Sequence, residues 1–195
     1  MRRLISGRLL WIAMSSALVI APLTLPPAGQ AAMASLSVRS NTFAKGGTLP
    51  LSTVFNAFGC TGGNRSPHLA WSGEPAGTAS FAVIAHDPDA PTGTGWYHWV
   101  VFNIPPTVHA LKAGAGAQQS PDLPAGAVLG LTDFGFSHYG GPCPPAGDRP
   151  HHYNFTVYAL SSKIDGGPTT TGAALRFMMR TVTLATGTIT GRYGH

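Results

Sequence analysis

Charged residues are scarce in this chain, since Asp, Glu, Lys and Arg together make up 10% of its 195 residues. Of its 12 Lys and Arg residues, three (Arg2, Arg3 and Arg8) stand at the start, and the remainder of the chain carries no basic run. Nucleic-acid binding depends on clustered Lys and Arg that neutralise phosphates. The composition therefore argues against a nucleic-acid ligand.

The N-terminal residues predict export. The three arginines precede the apolar run LLWIAMSSALVIAPL, and Ala32-Met33-Ala34 follows as a small-residue cleavage pattern. This order is typical of a secretory signal peptide over residues 1–34, with no stable membrane anchor after cleavage. We therefore expect residues 35–195 to form a single secreted or periplasmic domain. Arg2-Arg3 keeps twin-arginine export open beside the general route, and the absence of cysteine near the cleavage pattern argues against a lipid anchor.

Only two cysteines occur, Cys60 and Cys143. In an exported chain we expect them to form a disulfide, the alternative being two buried free thiols. A loop of this length gives a stabilisation of about 4.5 kcal/mol in the chain-entropy model.

Long helices are disfavoured by 25 glycines and 17 prolines, which favour short strands joined by turns. We predict one helix near residues 171–181, with Thr170 or Thr171 as its N-cap. Residues 112–130 are rich in small residues and predict a long loop. The predicted strands are rich in β-branched and aromatic residues, and they cover Leu36–Phe43, Ser80–Asp87, Trp96–Ile104, His152–Leu160 and Thr188–Tyr193.

Alternation along three of these strands predicts a site, because every second side chain of a strand lies on the same face. Polar groups then end three apolar rows: Asp87 after Phe81, Val83 and Ala85; His98 with Trp96, Val100 and Phe102; His151 and Tyr153 before Phe155, Val157 and Ala159. The same alternation puts His86, His152 and, more weakly, Tyr97 on the opposite face. If the three rows meet in one core, their polar ends form a pocket, with Trp96 as a wall.

Such a pocket suits a small anion, because two histidines and a tyrosine offer donors without a permanent cation. The glycines of the segment 139–143 could add backbone N–H groups. Asp87 would orient a histidine and favour its charged form. Asp89 is expected to act as a local cap of its loop rather than as a ligand contact.

Three segments resemble the phosphatidylethanolamine-binding protein family, and in particular its bacterial Raf-kinase-inhibitor-like branch. They are NRSPHLAW, DPDAPTGTGWYHWVVFNIP and YGGPCPPAGDRPHHYNFTVYAL. The resemblance runs from about Phe43 to Gly194. It implies a mainly β fold, with two antiparallel sheets packed as a sandwich and one or two short helices near the C-terminus. It also implies a pocket for phosphate-type anions, including phospholipid head groups in eukaryotic members.

The resemblance assigns pocket residues by motif. Asp87 matches the first acid of DPDAP, His98 the histidine of the second strand, and His151 with Tyr153 the H-x-Y pair; Gly141 and Pro142 match a turn at the rim. Where many members have His-Arg-Tyr, this chain has His151-His152-Tyr153, so a partner surface that depends on that arginine is in doubt.

These observations predict a non-enzymatic binding protein for a phosphate, phosphoryl or carboxylate group, without a cofactor, a metal or a catalytic residue. Three alternatives remain open. A metal site could use Asp87, Asp89, His98 and His151, although no H-E-x-x-H motif occurs. A hydrolase would need a serine such as Ser72 or Ser137, although no G-x-S-x-G motif occurs. An inhibitor or modulator of an exported protease or other enzyme would use the 112–130 loop and the pocket rim.

Overall fold

Residues 34–195 are described by a computed structural model, and the predicted signal peptide therefore lies, except for Ala34, outside the described residues. The described strands are β1 (Ala34–Ser35), β2 (Ser37–Arg39), β3 (Leu69–Ser72), β4 (Ser80–Asp87), β5 (Trp96–Ile104), β6 (Ala110–Leu111), β7 (Val128–Leu129), β8 (His151–Leu160) and β9 (Thr183–Tyr193). A 3-10 helix covers Leu51–Thr53, and the α-helix α1 covers Gly172–Met179.

The strands form two sheets, which confirms the mainly β prediction. The larger sheet has six strands in the order β1-β9-β8-β4-β5-β7, and the smaller one has three in the order β2-β3-β6. All pairs are antiparallel except β1 with β9, which is parallel. The two predicted antiparallel sheets are therefore confirmed, and the short β1 adds one parallel pairing at the edge beside β9.

The predicted strand bounds hold best in the centre of the large sheet. β4 and β5 have the predicted bounds, and β8 begins one residue early, at His151. The prediction of one strand over Leu36–Phe43 is wrong, because the chain turns after Arg39. The Ser40 hydroxyl donates to the His68 carbonyl at 2.6 Å and accepts from the Thr42 N–H at 3.0 Å, which ends the ladder. β9 is longer than predicted and begins at Thr183.

The predicted helix is confirmed in slightly shorter form. The Thr171 hydroxyl accepts a hydrogen bond from the Ala174 N–H at 3.2 Å, so Thr171 is the N-cap. Leu175 and Met179, four residues apart, are buried against one face of the large sheet. Among the described residues no helix is long and apolar enough to span a membrane.

The main core lies on the other face of the large sheet. It contains Phe81, Val83 and Ala85 of β4 and Phe155 and Val157 of β8, packed with residues such as Leu69, Trp71 and Leu111 of the small sheet. Alternate residues of β4 and β5, such as Ile84 and Val100, face α1 instead. Both faces of these two central strands are therefore buried, which explains their nearly continuous apolar sequence.

The disulfide prediction is confirmed, since Cys60 and Cys143 are bonded with a Cα–Cα distance of 6.0 Å. The 112–130 segment is a series of turns that ends in β7, which pairs with β5. The Gly116 N–H donates to the Ser66 hydroxyl at 2.9 Å, and the Gly116 carbonyl accepts from the Tyr139 N–H at 2.8 Å. This loop is thereby anchored to the segment that leads toward the disulfide.

Candidate functional site

A cavity of about 180 Å³ opens where β4 and β5 meet the start of β8. Its floor is polar and its walls are mainly aromatic or proline side chains. It is lined by Phe58, Asp87, Ala90, Pro91, Thr92, Trp96, His98, Phe134, Cys143, Pro144, Pro145, His151 and Tyr153. Five residues predicted for the site, namely Asp87, Trp96, His98, His151 and Tyr153, are thus brought together.

His98 lies at a β-bulge beside this cavity. Tyr97 pairs with His86, whereas Trp99 pairs with Ala85, so His98 is an extra residue on β5. A bulge of this kind places the side chain of the extra residue and that of its neighbour on one side of the sheet. Trp99 accordingly lies in the main core, while Val100 and Phe102 face α1.

The predicted alternation of β5 is therefore right for Trp96 and His98 but wrong beyond them. Val100 and Phe102 do not share the face of Val83, because the bulge shifts the residues that follow it to the other side. A second register shift between Val101 and Ile104 returns Ile104 to the main core. An alternating apolar pattern in the sequence does not reveal where a strand contains such an extra residue.

Asp87 and His151 form a buried pair at the floor. Nδ1 of His151 donates to Oδ2 of Asp87 at 2.8 Å, and both side chains are 4% exposed. Oδ1 of Asp87 accepts from the Asp89 N–H at 2.8 Å, which fixes the carboxylate at the start of the turn. Nε2 of His151 lies 3.4 Å from Oδ2 of Asp148, whose side chain is 43% exposed. One ring therefore stands between two carboxylates.

His98 is held as a neutral ring. Nδ1 lies 2.8 Å from the Gly140 carbonyl and, because a carbonyl only accepts, Nδ1 carries the hydrogen. Burial, partly offset by the carbonyl of Gly140 and the charge of Asp87, lowers the pKa of His98 to about 4. Its Nε2 atom is then a hydrogen-bond acceptor at neutral pH.

Two buried donors in the lining lack a partner among the described residues: the Tyr153 hydroxyl and the Trp96 indole N–H. Burial is the main cause that raises the pKa of the Tyr153 hydroxyl, and the negative charge of Asp87 raises it further. Asp87 acts on this hydroxyl both through its charge and as a nearby acceptor, but the two side chains do not meet the geometry of a hydrogen bond. Buried donors are normally satisfied, so both suit a ligand acceptor.

Phe134 forms one wall and is positioned by its neighbour Asp133. Oδ2 of Asp133 accepts from the Tyr97 N–H at 2.8 Å, which ties the loop to the edge of β5. The Phe134 ring then lies edge-on to His98, with 5.3 Å between ring centroids.

Gly141 and Pro142 do not line the cavity. The Gly141 N–H donates to Oδ1 of Asn64 at 2.8 Å, and the Gly140 N–H donates to the His98 carbonyl at 2.9 Å. The expectation that these glycines offer free donors to a ligand is therefore wrong in this structure. Cys143, Pro144 and Pro145 form this side of the lining instead.

The residues predicted to point elsewhere do so. His152 donates from Nδ1 and from its backbone N–H to Oδ2 of Asp89, at 2.7 and 2.8 Å. Asp89 therefore ties its loop to β8 and is absent from the lining. His86 donates from Nε2 to the Thr94 carbonyl at 3.0 Å on the opposite face.

Several site residues escaped prediction because they come from loops without periodicity. Phe58, Phe134 and Asp148 stand in such loops, and only folding brings them beside Asp87. The disulfide offers the one sequence signal for Phe58, since pairing of Cys60 with Cys143 brings residues next to each cysteine to the same place.

The described residues contain one group of three potential metal ligands within reach of one another, Cys60, Cys143 and His195, and both of its cysteines are in the disulfide. The predicted metal alternative therefore gains no support at Asp87, Asp89, His98 and His151. Ser72 and Ser137 are absent from the cavity lining, and the Ser137 hydroxyl donates to the Pro168 carbonyl at 2.6 Å.

Comparison with known proteins agrees with this architecture. The family model for phosphatidylethanolamine-binding proteins matches residues 39–194. YbcL of Escherichia coli is 51% identical over 161 residues, which are 82% of this chain and 88% of YbcL. YbhB of the same organism is 44% identical over 155 residues, which are 79% of this chain and 97% of YbhB.

A solved structure and a third relative extend the comparison. The crystal structure of E. coli YbcL matches with a TM-score of 0.80 and 50% identity, and covers 84% of this chain and 99% of that one. LppC of Mycobacterium tuberculosis, whose name calls it a lipoprotein, is 39% identical over 137 residues, 70% of this chain and 61% of LppC. The two-sheet fold with a cavity at the strand ends is thus a binding-protein fold. The chain belongs to the phosphatidylethanolamine-binding protein family.

Proposed function

We propose that this protein is a non-enzymatic binding protein for a small anion with a phosphate or phosphoryl group, held in the cavity at Asp87, His98, His151 and Tyr153. The observation that carries the proposal is the pair of unpartnered buried donors, the Tyr153 hydroxyl and the Trp96 N–H. Donors in an apolar cavity bind an oxygen acceptor strongly, because water competes poorly there.

The position of Asp148 supports an anion at His151. A carboxylate oxygen already lies 3.4 Å from Nε2 of His151, at the end of a half-exposed side chain. An oxyanion of the ligand replaces this carboxylate and accepts the same hydrogen. Asp87 does not contact such a ligand at His151, since its Oδ2 is already bonded to Nδ1 on the other side of the ring.

The neutral state of His98 also indicates the protonation state of the ligand. Because Nε2 of His98 is an acceptor at neutral pH, it pairs with an O–H of the ligand. A singly protonated phosphate or phosphate monoester supplies both kinds of oxygen, with P–OH for His98 and P–O⁻ for His151 and Tyr153. We therefore favour a ligand that retains one P–OH group, namely HPO₄²⁻ or the monoanion of a phosphate monoester, over a monoester dianion that lacks this hydrogen.

A binding role without catalysis is supported by the hydroxyls of the lining. Among the described lining residues these are Thr92 and Tyr153. The Thr92 hydroxyl donates to the Gly95 carbonyl at 2.6 Å. Burial and Asp87 raise the pKa of Tyr153, which makes its hydroxyl a poor nucleophile. We propose that the protein holds its ligand without transforming it.

Titration with inorganic phosphate, followed by NMR, tests the proposal. We expect saturable shifts at His98, His151 and Tyr153, and at least about a tenfold loss of affinity in His151→Ala, as for one charge-assisted hydrogen bond. His109→Ala is the matched control, because His109 is a surface histidine that pairs with Glu74 at 2.9 Å. Equal affinities of the two variants, or shifts confined to other surfaces, would refute the pocket.

We also propose that the protein is exported by a cleaved signal peptide to the cell envelope or beyond. The disulfide suits an oxidising compartment, and LppC carries the name of a lipoprotein. N-terminal sequencing of the protein from envelope and secreted fractions should give a chain that begins near Ser35. A chain that begins at Met1, found in the cytoplasm, would contradict export.

A second candidate function is modulation of an exported enzyme through the pocket rim. Phe58 favours it, because this large ring is 76% exposed and its backbone has a φ of 57°, a strained conformation for a non-glycine residue. Exposed aromatic anchors are typical of protein interfaces. Specific recovery of an exported enzyme by the wild type and its loss in the folded Phe58→Ser variant would support this role. Equal recovery by both proteins would exclude Phe58 from it.

A further inference from the structure

A second cavity, of about 250 Å³, lies on the face of the large sheet against which α1 packs. It differs from the first cavity in that its lining combines a fixed cation with a row of amide and hydroxyl groups. It is lined by Ile84, His86, Asn154, Thr156, Tyr158, Arg176 and Thr188.

Arg176 supplies the fixed charge. Its interaction with the Tyr97 hydroxyl is the main cause that raises the pKa of the guanidinium. No ion pair involving Arg176 occurs within 4.0 Å in the part of the chain that the structure describes. No acid lines the second cavity, whereas Asp87 lies in the first. The guanidinium is therefore able to pair with an anionic group of a ligand.

The hydroxyl and amide groups form a row across neighbouring strands. Thr156 lies opposite Thr188, and their hydroxyls share one hydrogen bond of 2.8 Å, so one of the two hydroxyl hydrogens is available to a ligand. Oδ1 of Asn154 accepts from the Thr190 hydroxyl at 2.7 Å, which orients the amide and leaves its NH₂ group as a donor. Such a row matches a ligand that carries several hydroxyl groups.

His86 completes the lining with a ring of fixed orientation. Nε2 donates to the Thr94 carbonyl at 3.0 Å, and the ring lies against Tyr97 with 4.6 Å between centroids. With Ile84 and Tyr158 it adds apolar surface beside the polar row. Sugar rings present the same combination of hydroxyl edges and C–H faces.

We propose that this second cavity binds a small anionic sugar, with the carboxylate or phosphate on Arg176 and the sugar hydroxyls along Asn154, Thr156 and Thr188. The proposal is independent of the phosphate site, because the two cavities share no residue.

NMR titration of the purified full-length chain with glucuronate tests it, with glucose and inorganic phosphate as separate probes. We expect saturable shifts of Arg176, His86 and Asn154, and a glucuronate affinity at least about tenfold above that of either other probe at this cavity. Arg176→Gln should weaken glucuronate binding about tenfold or more, as expected for a lost charge-assisted contact. Arg180→Gln removes the same charge from the end of the same helix, where Arg180 lies over the Phe177 ring, and should change affinity less than about twofold.

Thr188→Val gives a second measurement at an exposed position, and it should weaken glucuronate binding about threefold or more while binding at the first cavity is unchanged. Equal effects of the two arginine variants would overturn the proposal. So would glucuronate shifts confined to His98 and Tyr153, the absence of saturable shifts, or phosphate binding at Arg176 as tight as that of glucuronate.

Discussion

Nδ1 of His151 donates to Oδ2 of Asp87 at 2.8 Å, with each side chain only 4% exposed. Buried charges are costly unless paired, so this contact couples the stability of the fold to the geometry of the cavity floor. The second ring nitrogen of His151 faces Asp148. The contact with Asp87 thereby orients the ring so that Nε2 of His151 faces Asp148.

Asp87→Asn removes this charge while it preserves the shape of the side chain. We expect the free energy of unfolding to fall by about 2 to 3 kcal/mol, because His151 loses its buried partner. Urea unfolding measures this loss, and phosphate titration should show weaker binding as the ring loses its orientation. Asp122→Asn is the control, because its pair with Lys112 is exposed, and it should cost less than about 1 kcal/mol. Equal losses in the two variants would mean that the buried pair stabilises the fold no more than the exposed pair does.

The neutral His98 ring predicts a pH dependence of stability. Its pKa in the folded state is about 4, below the ordinary value of 6.5. The unfolded chain therefore binds the proton more tightly, so this contribution is fully present above pH 6.5 and is lost as the pH falls toward 4. The loss is on the order of 3 kcal/mol. Urea unfolding across this range should show the slope in wild type and in His109→Asn, but not in His98→Asn, which retains a side-chain donor for the Gly140 carbonyl.

Gly141 lies too close to the backbone of a neighbouring loop to be replaced by a residue with a side chain. A Cβ at this position would lie 2.1 Å from the Thr53 carbonyl oxygen, whereas one at Gly167 would have no neighbour within 4 Å. We expect Gly141→Ala to destabilise the protein by about 2 kcal/mol or more, since backbone must shift. Gly167→Ala should be close to neutral. Thermal unfolding of both variants checks this, and tolerance of Gly141→Ala would show that the two loops are mobile.

The disulfide joins two walls of the first cavity, because Cys143 and nearby Phe58 both line it. Reduction should raise the intact mass by about two units. The 83-residue separation predicts a stabilisation of about 4.5 kcal/mol. Cys60→Ser with Cys143→Ser should therefore unfold at much lower urea concentration and bind phosphate more weakly. Unchanged phosphate affinity in the folded double variant would show that the disulfide stabilises the fold but does not shape the cavity.

Much of the fold and the polar floor of the cavity were predictable because they depend on local alternation. β4, β5 and the start of β8 bring Asp87, His98 and His151 to one end of the sheet, as their sequences predict. Apolar rows in strands are strong signals because burial of one face is the main favourable term in folding.

The remainder depends on contacts between distant segments. The bulge at His98 reverses the faces of Val100 and Phe102, and nothing in the regular apolar run of β5 marks it. Gly141 was expected to offer its N–H to a ligand, but Asn64, 77 residues earlier, accepts that hydrogen. Loop residues of this kind are positioned by tertiary hydrogen bonds rather than by a periodic pattern.

Asp148 occupies the position in which the proposed ligand meets His151, and this predicts a gain of affinity on its removal. Its carboxylate lies 3.4 Å from Nε2 of His151 and competes there with an incoming oxyanion, which it also repels. Asp148→Asn removes the repulsion, and we expect phosphate to bind about threefold to tenfold more tightly, an effect of about 1 kcal/mol. Asp165→Asn is the matched control: Asp165 is exposed and absent from the lining, so the same change in net charge should alter affinity less than about twofold. Parallel phosphate titrations of both variants at two salt concentrations separate the local contact from the general effect of charge, because screening weakens the general effect first. Weaker phosphate binding in Asp148→Asn would mean instead that this carboxylate helps to hold His151 in its binding orientation.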